Sequence, residues 1–210
     1  MKNPYFIKIC GITTIEDANT AVESGATAIG FNFFSGSKRY VDIKTAQEIA
    51  DRVRNNIAVV GVFVNEPIET VKRIASAVKL TYCQFHGEES PEYVNSFPNA
   101  IKSFRINRSL QNVQFDDYRC SAFLLDSYSP SEYGGTGVPF NWMMAREANE
   151  FGKIIVAGGL NAENVRSAIE IAQPWGVDVS SGVEREAGKK EKEKIFRFVL
   201  NAQEAFKENQ

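Results

Sequence analysis

The chain has 210 residues, of which 43% are hydrophobic and 24% charged, a balance that excludes a disordered chain and a membrane-embedded one. With 24 Lys and Arg against 26 Asp and Glu the formal charge is -2, so no net positive field holds a polyanion and nucleic acid is not an expected partner. The length favours one domain, spanning residues 1–210, over two.

Three cysteines, Cys10, Cys83 and Cys120, form no CxxC pair and have one histidine to join them. They argue against a disulfide scaffold and against a Cys/His zinc site, and they fit a reducing compartment. The first ten residues are too short and too polar for a signal-peptide core. The longest apolar run, residues 57–64, falls far short of the roughly 20 residues that cross a bilayer. A cytoplasmic protein with no membrane partner is expected.

In chain order, the first strand candidate is residues 6–10. Thr14 with Asp17 three residues later resembles a capping box opening a helix, which Gly25 closes. Residues 28–33 form a second strand, and Ala46, Ala50 and Val53 give residues 44–54 a helical face. A third strand at 58–64 is followed by a helix at 67–78, with Ile68, Val71, Ala75 and Val78 on one side. Strand candidates then recur at 81–86, 101–106, 122–126, 154–157 and 177–180, and Ser90 before Pro91 marks one more helix start. The charged run 188–194 reads as the solvated beginning of the last helix.

Eight strand-then-helix units at roughly 24 residues each point to a closed (βα)8 barrel, with a doubly wound open sheet as the alternative. The barrel reading puts chemistry at the C-terminal ends of the strands. Those ends carry Cys10, Asn32 with the loop to Arg39, Asn65, His86, Asp126, Gly158 with Gly159, and Ser180 with Ser181 and Gly182.

Each has a bland reading beside a chemical one. Cys10 is either a small core thiol or, sharing strand parity with Lys8, a thiolate steadied by a cation. Asp126 ends an apolar run, so it either caps the next loop or acts as a desolvated acid that donates a proton. His86 serves as a structural residue or lines a site. Arg39 is part of a solvated basic turn or grips a carboxylate with two hydrogen bonds. Cys83 and Cys120 are assigned to packing. The glycine turns at 157–160 and 180–183 let backbone N–H groups surround phosphate oxygens, so a phosphorylated small molecule is the expected ligand.

The strings KICGIT (8–13), GFNFFSGSKRY (30–40), VGVFVN (60–65), QFHGEE (84–89), LLDS (124–127), EYGGTG (132–137), AGGLNAENV (157–165) and GVDVSSGVE (176–184) occur in that order. Together they resemble the phosphoribosylanthranilate isomerase family of tryptophan biosynthesis along nearly the whole chain. The resemblance implies a (βα)8 barrel and an Amadori rearrangement of N-(5-phosphoribosyl)anthranilate, which needs no redox cofactor and no metal. It also implies that Cys10 is the general base, Asp126 the general acid and Arg39 the anthranilate-carboxylate ligand. His86 and Asp178 would line the site, and Gly158, Gly159, Ser181 and Gly182 would bind phosphate. Val138 stands where the family often has lysine, and Asn141 replaces the aspartate of its FDW string.

Two other phosphate-binding barrels are weaker readings. An indole-glycerol-phosphate synthase-like lyase calls for a lysine and glutamate pair, and a histidine-pathway isomerase for an aspartate where Cys10 stands. A barrel that only senses a sugar phosphate needs no reactive pair. Apolar residues on the outer helices would serve a core or a subunit interface equally well, so monomer and homodimer both remain open.

Overall fold

A computed structural model of the chain describes residues 5–106, 109–111, 113–127 and 142–209. Val138 and Asn141, singled out above, lie outside them, as does the EYGGTG string.

The strands are β1 (Phe6–Cys10), β2 (Ala28–Asn32), β3 (Ala58–Phe63), β4 (Tyr82–Phe85), β5 (Ala100–Ile106), β6 (Ala122–Ser127), β7 (Ile154–Val156) and β8 (Gly176–Val179). They pair in parallel in sequence order, and β8 returns to β1 to close the barrel, which rules out the open sheet. The helices are α1 (Ile15–Glu23), α2 (Ile43–Val53), α3 (Ile68–Val78), α4 (Pro91–Asn95), α5 (Trp142–Ala148), α6 (Val165–Ala172) and α7 (Lys192–Glu208). Between β5 and β6 the described residues hold a single 3-10 turn, Phe115–Asp117, instead of the helix expected there.

Local chemistry starts these helices where the sequence predicts. The Asp17 N–H donates to Thr14 Oγ1 at 3.1 Å, satisfying one of the orphan donors of a helix N-terminus. Ser90 caps α4 in the same way, with Pro91 at its first position. Gly25 follows α1 with φ +86°, the left-handed conformation that lets the chain turn back towards β2.

Strand alternation then divides the core in two. Outward residues such as Ile7, Ile9, Ile29 and Phe31 pack under the helices. Inward residues near the base, among them Phe6, Val60, Ile101, Leu124 and Ile155, fill the barrel. Nearer the C-terminal rim the inward positions turn polar: Lys8, Gln84, Ser103, Asp126 and Asp178 are each no more than 8% exposed. Polar side chains held in a barrel interior mark the end where a ligand enters.

The charged run 188–194 corrects the expectation of a solvated helix start. Residues Glu184–Glu186 (β9) and Lys189–Lys190 (β10) form an antiparallel hairpin between β8 and α7. The Lys190 ammonium is buried because Glu184 meets it at 2.9 Å. Among the described residues, no helix is long and apolar enough to cross a membrane.

Candidate active site

Cys10 ends β1, two residues beyond Lys8 on the same face of the strand, and both side chains converge over Gly30 of β2. A Cβ at Gly30 would stand 2.9 Å from Cys10 Sγ and 3.3 Å from Lys8 Nζ. Glycine there leaves room for the thiol and the ammonium side by side. Lys8 Nζ lies 3.0 Å from Asp178 Oδ2, and these two residues are register partners across the β1–β8 pairing.

Burial pushes the Cys10 thiol above its ordinary value, and the nearby Lys8 and Lys190 cations offset this in part. Burial works against the Lys8 ammonium too, yet Asp178 and Cys10 hold its pKa above the usual lysine value. Burial likewise raises the Asp178 carboxyl in spite of Lys8. The other carboxylate oxygen of Asp178, Oδ1, has no hydrogen-bond partner among the described residues.

Across the barrel, Asp126 is 5% exposed and shares a pocket with Asp178, Gly158, Gly159, Ser180 and Ser181 that encloses about 320 Å³ of space open to solvent. Gly158 and Gly159 have φ of +81° and +68°, a conformation that side chains with a Cβ rarely adopt. The loop is braced from below, since Asn164 Nδ2 donates to the Gly159 carbonyl at 2.9 Å. Any Cβ on Gly182 would collide with the Leu160 carbonyl oxygen, so the loops after β7 and β8 touch backbone to backbone. Their backbone N–H groups and the Ser181 hydroxyl suit a phosphate dianion. Ser180 Oγ donates to the Cys10 carbonyl at 3.2 Å, which ties this wall to the strand that carries the thiol.

His86 follows β4, and its ring nitrogen contacts the Gln84 side-chain amide. Burial, with Lys8, Lys102 and Arg105 nearby, pulls its pKa down to about 3. The imidazole is neutral across the physiological range. Its loop is held by a buried ion pair, with Lys102 Nζ 2.8 Å from Glu89 Oε2 and Glu89 Oε1 accepting the Gly87 N–H at 3.1 Å.

Arg39 packs against Gly11, the residue after Cys10, with its Cδ 2.6 Å from where a Cβ on Gly11 would lie. It is neither a solvated turn residue nor part of the phosphate pocket. Its Nε and Nη2 each donate to Glu184 at 2.8 Å.

The structure therefore gathers Cys10, Asp126, Asp178 and the two glycine loops around one mouth, with Arg39 and His86 on its flanks. Sequence reasoning missed Glu184, Lys190 and the Lys8–Asp178 pair. Only Lys8 carried a signal, as a lysine at inward parity within an apolar strand.

Comparison with known proteins gives a consistent result. Residues 7–201 match the family described as N-(5'phosphoribosyl)anthranilate (PRA) isomerase. The N-(5'-phosphoribosyl)anthranilate isomerase of Trichlorobacter lovleyi is 46% identical over 202 residues, covering 95% of this chain and 98% of its own. The crystal structure of phosphoribosyl anthranilate isomerase from Thermotoga maritima superposes with a TM-score of 0.87 at 38% identity, covering 95% of this chain and 99% of that one. A further phosphoribosyl anthranilate isomerase structure, in complex with reduced 1-(o-carboxyphenylamino)-1-deoxyribulose 5-phosphate, gives 0.82 at 37% identity with the same coverage.

Proposed function

Because this chain belongs to the N-(5'-phosphoribosyl)anthranilate isomerase family, we propose that Cys10 and Asp126 are the base and the acid of that isomerisation. The protein is an isomerase of tryptophan biosynthesis acting on N-(5'-phosphoribosyl)anthranilate. The observation that carries the residue assignment is the shared mouth: Asp126 and the two glycine loops line one pocket with Asp178, which pairs with Lys8 beside Cys10.

The ligand of the related complex has a phosphate, an aromatic carboxylate and an amino-sugar chain between them. Gly158, Gly159, Ser181 and Gly182 take the phosphate in this reading, Arg39 takes the carboxylate, and Cys10 and Asp126 face the chain. Asp178 and neutral His86 line the remaining wall. Residues 1–210 act as one catalytic domain. The free thiols of Cys10, Cys83 and Cys120 support work in the reducing cytoplasm.

The chemistry follows from these positions. Asp126 gives its proton to the furanose ring oxygen as the bond from that oxygen to C1 breaks, and the anthranilate nitrogen lone pair closes a C=N bond to C1. The resulting iminium acidifies the proton on C2. Cys10, as thiolate, removes that proton, and the electron pair left on C2 forms the C1–C2 double bond of an enolamine while the iminium nitrogen becomes neutral. The enol O–H proton is then lost as C1 gains a proton, leaving the C2 ketone. Oxidation level moves within one molecule, and each acid-base step contributes on the order of 100- to 10,000-fold.

The test supplies freshly generated N-(5'-phosphoribosyl)anthranilate and follows the loss of its anthranilate fluorescence. Cys10→Ser and Asp126→Asn should each lower kcat by about 100-fold or more, with product affinity within a few-fold and an unchanged thermal melt. A near-wild-type rate in either variant removes that residue from its role, and no decay with the wild type would remove the activity.

A further inference from the structure

Glu184 belongs to neither the reacting pair nor the phosphate cradle, yet its carboxylate accepts four hydrogen bonds at the mouth. It begins β9 directly after the 3-10 turn Ser181–Val183, and its side chain is only 5% exposed. Oε1 accepts from Arg39 Nε at 2.8 Å, Lys190 Nζ at 2.9 Å and the Gly188 N–H at 3.2 Å, and Oε2 accepts from Arg39 Nη2 at 2.8 Å. Burial alone would raise its carboxyl, but Arg39 and Lys190 hold it below the usual range. Glu184 is therefore an anion at neutral pH.

We propose that Glu184 is a positioning residue, which fixes the Arg39 guanidinium at the mouth and thereby sets the affinity for the substrate's ring carboxylate. The inference rests on the reading of Arg39 given above and goes beyond it. Arginine carries much rotamer freedom, and a two-point pairing to a carboxylate fixes the plane of its guanidinium. Gly11 supplies the space for the arginine stem, and Glu184 supplies the orientation.

The frame extends further. Lys190 Nζ also donates to the Ser180 carbonyl at 3.2 Å, and Ser180 Oγ donates to the Cys10 carbonyl. The carboxylate ligand, the phosphate wall and the base strand are thus joined through hydrogen bonds that meet at Glu184.

Charge argues for a role in binding over one in stability alone. Buried ion pairs are costly to desolvate, and apolar residues of similar volume often stabilise a fold as well or better. Here one carboxylate faces two basic side chains, Arg39 and Lys190, an arrangement that a simple one-to-one structural pair would not require.

The experiment is a double-mutant cycle on the full chain: wild type, Glu184→Gln, Arg39→Ala and both together, with KM and kcat for N-(5'-phosphoribosyl)anthranilate. Glu184→Gln should raise KM by about tenfold or more and lower kcat by less than about threefold. In the Arg39→Ala background it should raise KM no further. Calorimetry with the phenylamino analogue of the product, which lacks the ring carboxylate, should show less than about a twofold change between wild type and Glu184→Gln. An unchanged KM in Glu184→Gln, or effects that multiply in the double variant, overturns the inference. Arg39→Ala alone separates the two readings: an unchanged KM there removes the Arg39 assignment itself, while a raised KM beside an unaffected Glu184→Gln removes only the role of Glu184. If Glu184→Gln does not accumulate folded, Glu184→Gln/Lys190→Met read against Lys190→Met gives the same comparison, because it leaves no buried ammonium uncompensated.

Discussion

The thiol of Cys10 works against its surroundings before substrate arrives. Burial raises its pKa beyond the ordinary 9.0, so the resting group is a thiol at neutral pH and the thiolate forms only as pH climbs. Iodoacetamide labelling of the peptide that holds Cys10, followed by mass spectrometry, should show a rate that rises with pH and a midpoint above 9.0. Lys8→Met should move that midpoint higher still, and a wild-type midpoint below 9.0 would contradict this. In the proposed reaction the iminium supplies the missing positive charge beside the thiol, so the ascending limb of kcat should lie at lower pH than that of kcat/KM. The positions of Cys10 and Asp126 were legible because a polar side chain closing an apolar strand can be read without any partner. Glu184 was not legible in the same way. Its two-point contact joins residues 145 apart, and nothing local in either segment announces the other.

Between elements, the contact that matters most to the proposed phosphate wall is the approach of Gly182 to the Leu160 carbonyl. Both sides of that contact are tied to backbone, so an added methyl cannot rotate away and the loops after β7 and β8 must part. Gly182→Ala should cost about 1–3 kcal/mol of stability and weaken product binding by about tenfold or more, read by urea unfolding and calorimetry. Unchanged affinity would take these loops out of phosphate binding. The strands themselves were readable to within a residue or two, since parity puts Ile7 and Ile9 under the helices and Lys8 inside the barrel. The β9–β10 hairpin was not. A lysine-rich run has the pattern of a solvated helix start, and only the long-range partner Glu184 makes burial of Lys190 tolerable.

At the scale of the whole molecule, stability should depend on the protonation of His86. Its pKa is lowered from 6.5 to about 3, so the unfolded chain takes up the proton first. The corresponding stability is fully present above the unfolded value of 6.5 and is lost as pH falls through about 3. Urea midpoints measured between pH 7 and pH 4 should fall with pH, and His86→Gln should remove that part of the slope. An identical slope in the variant would assign it to the carboxylates alone. The lone histidine was visible in the sequence, but its neutrality was not, because that depends on burial and on Lys8 of β1 and Lys102 and Arg105 of β5 converging on it. Closure of the barrel, by contrast, followed from counting regular units.

The pairing of Lys8 with Asp178 also has a bearing on biosynthesis. These residues sit on the seam where the first and last strands of the barrel meet, and Ser181, Gly182, Glu184 and Lys190 all follow that final strand. A growing chain on the ribosome that has completed seven strands already holds Cys10 and Asp126, but it has no Asp178 to pair with Lys8, half of its proposed phosphate wall and no Glu184 to hold Arg39. Under the proposed roles, turnover should begin only once the last portion has been released and docked, and chains cut before β8 should show no activity.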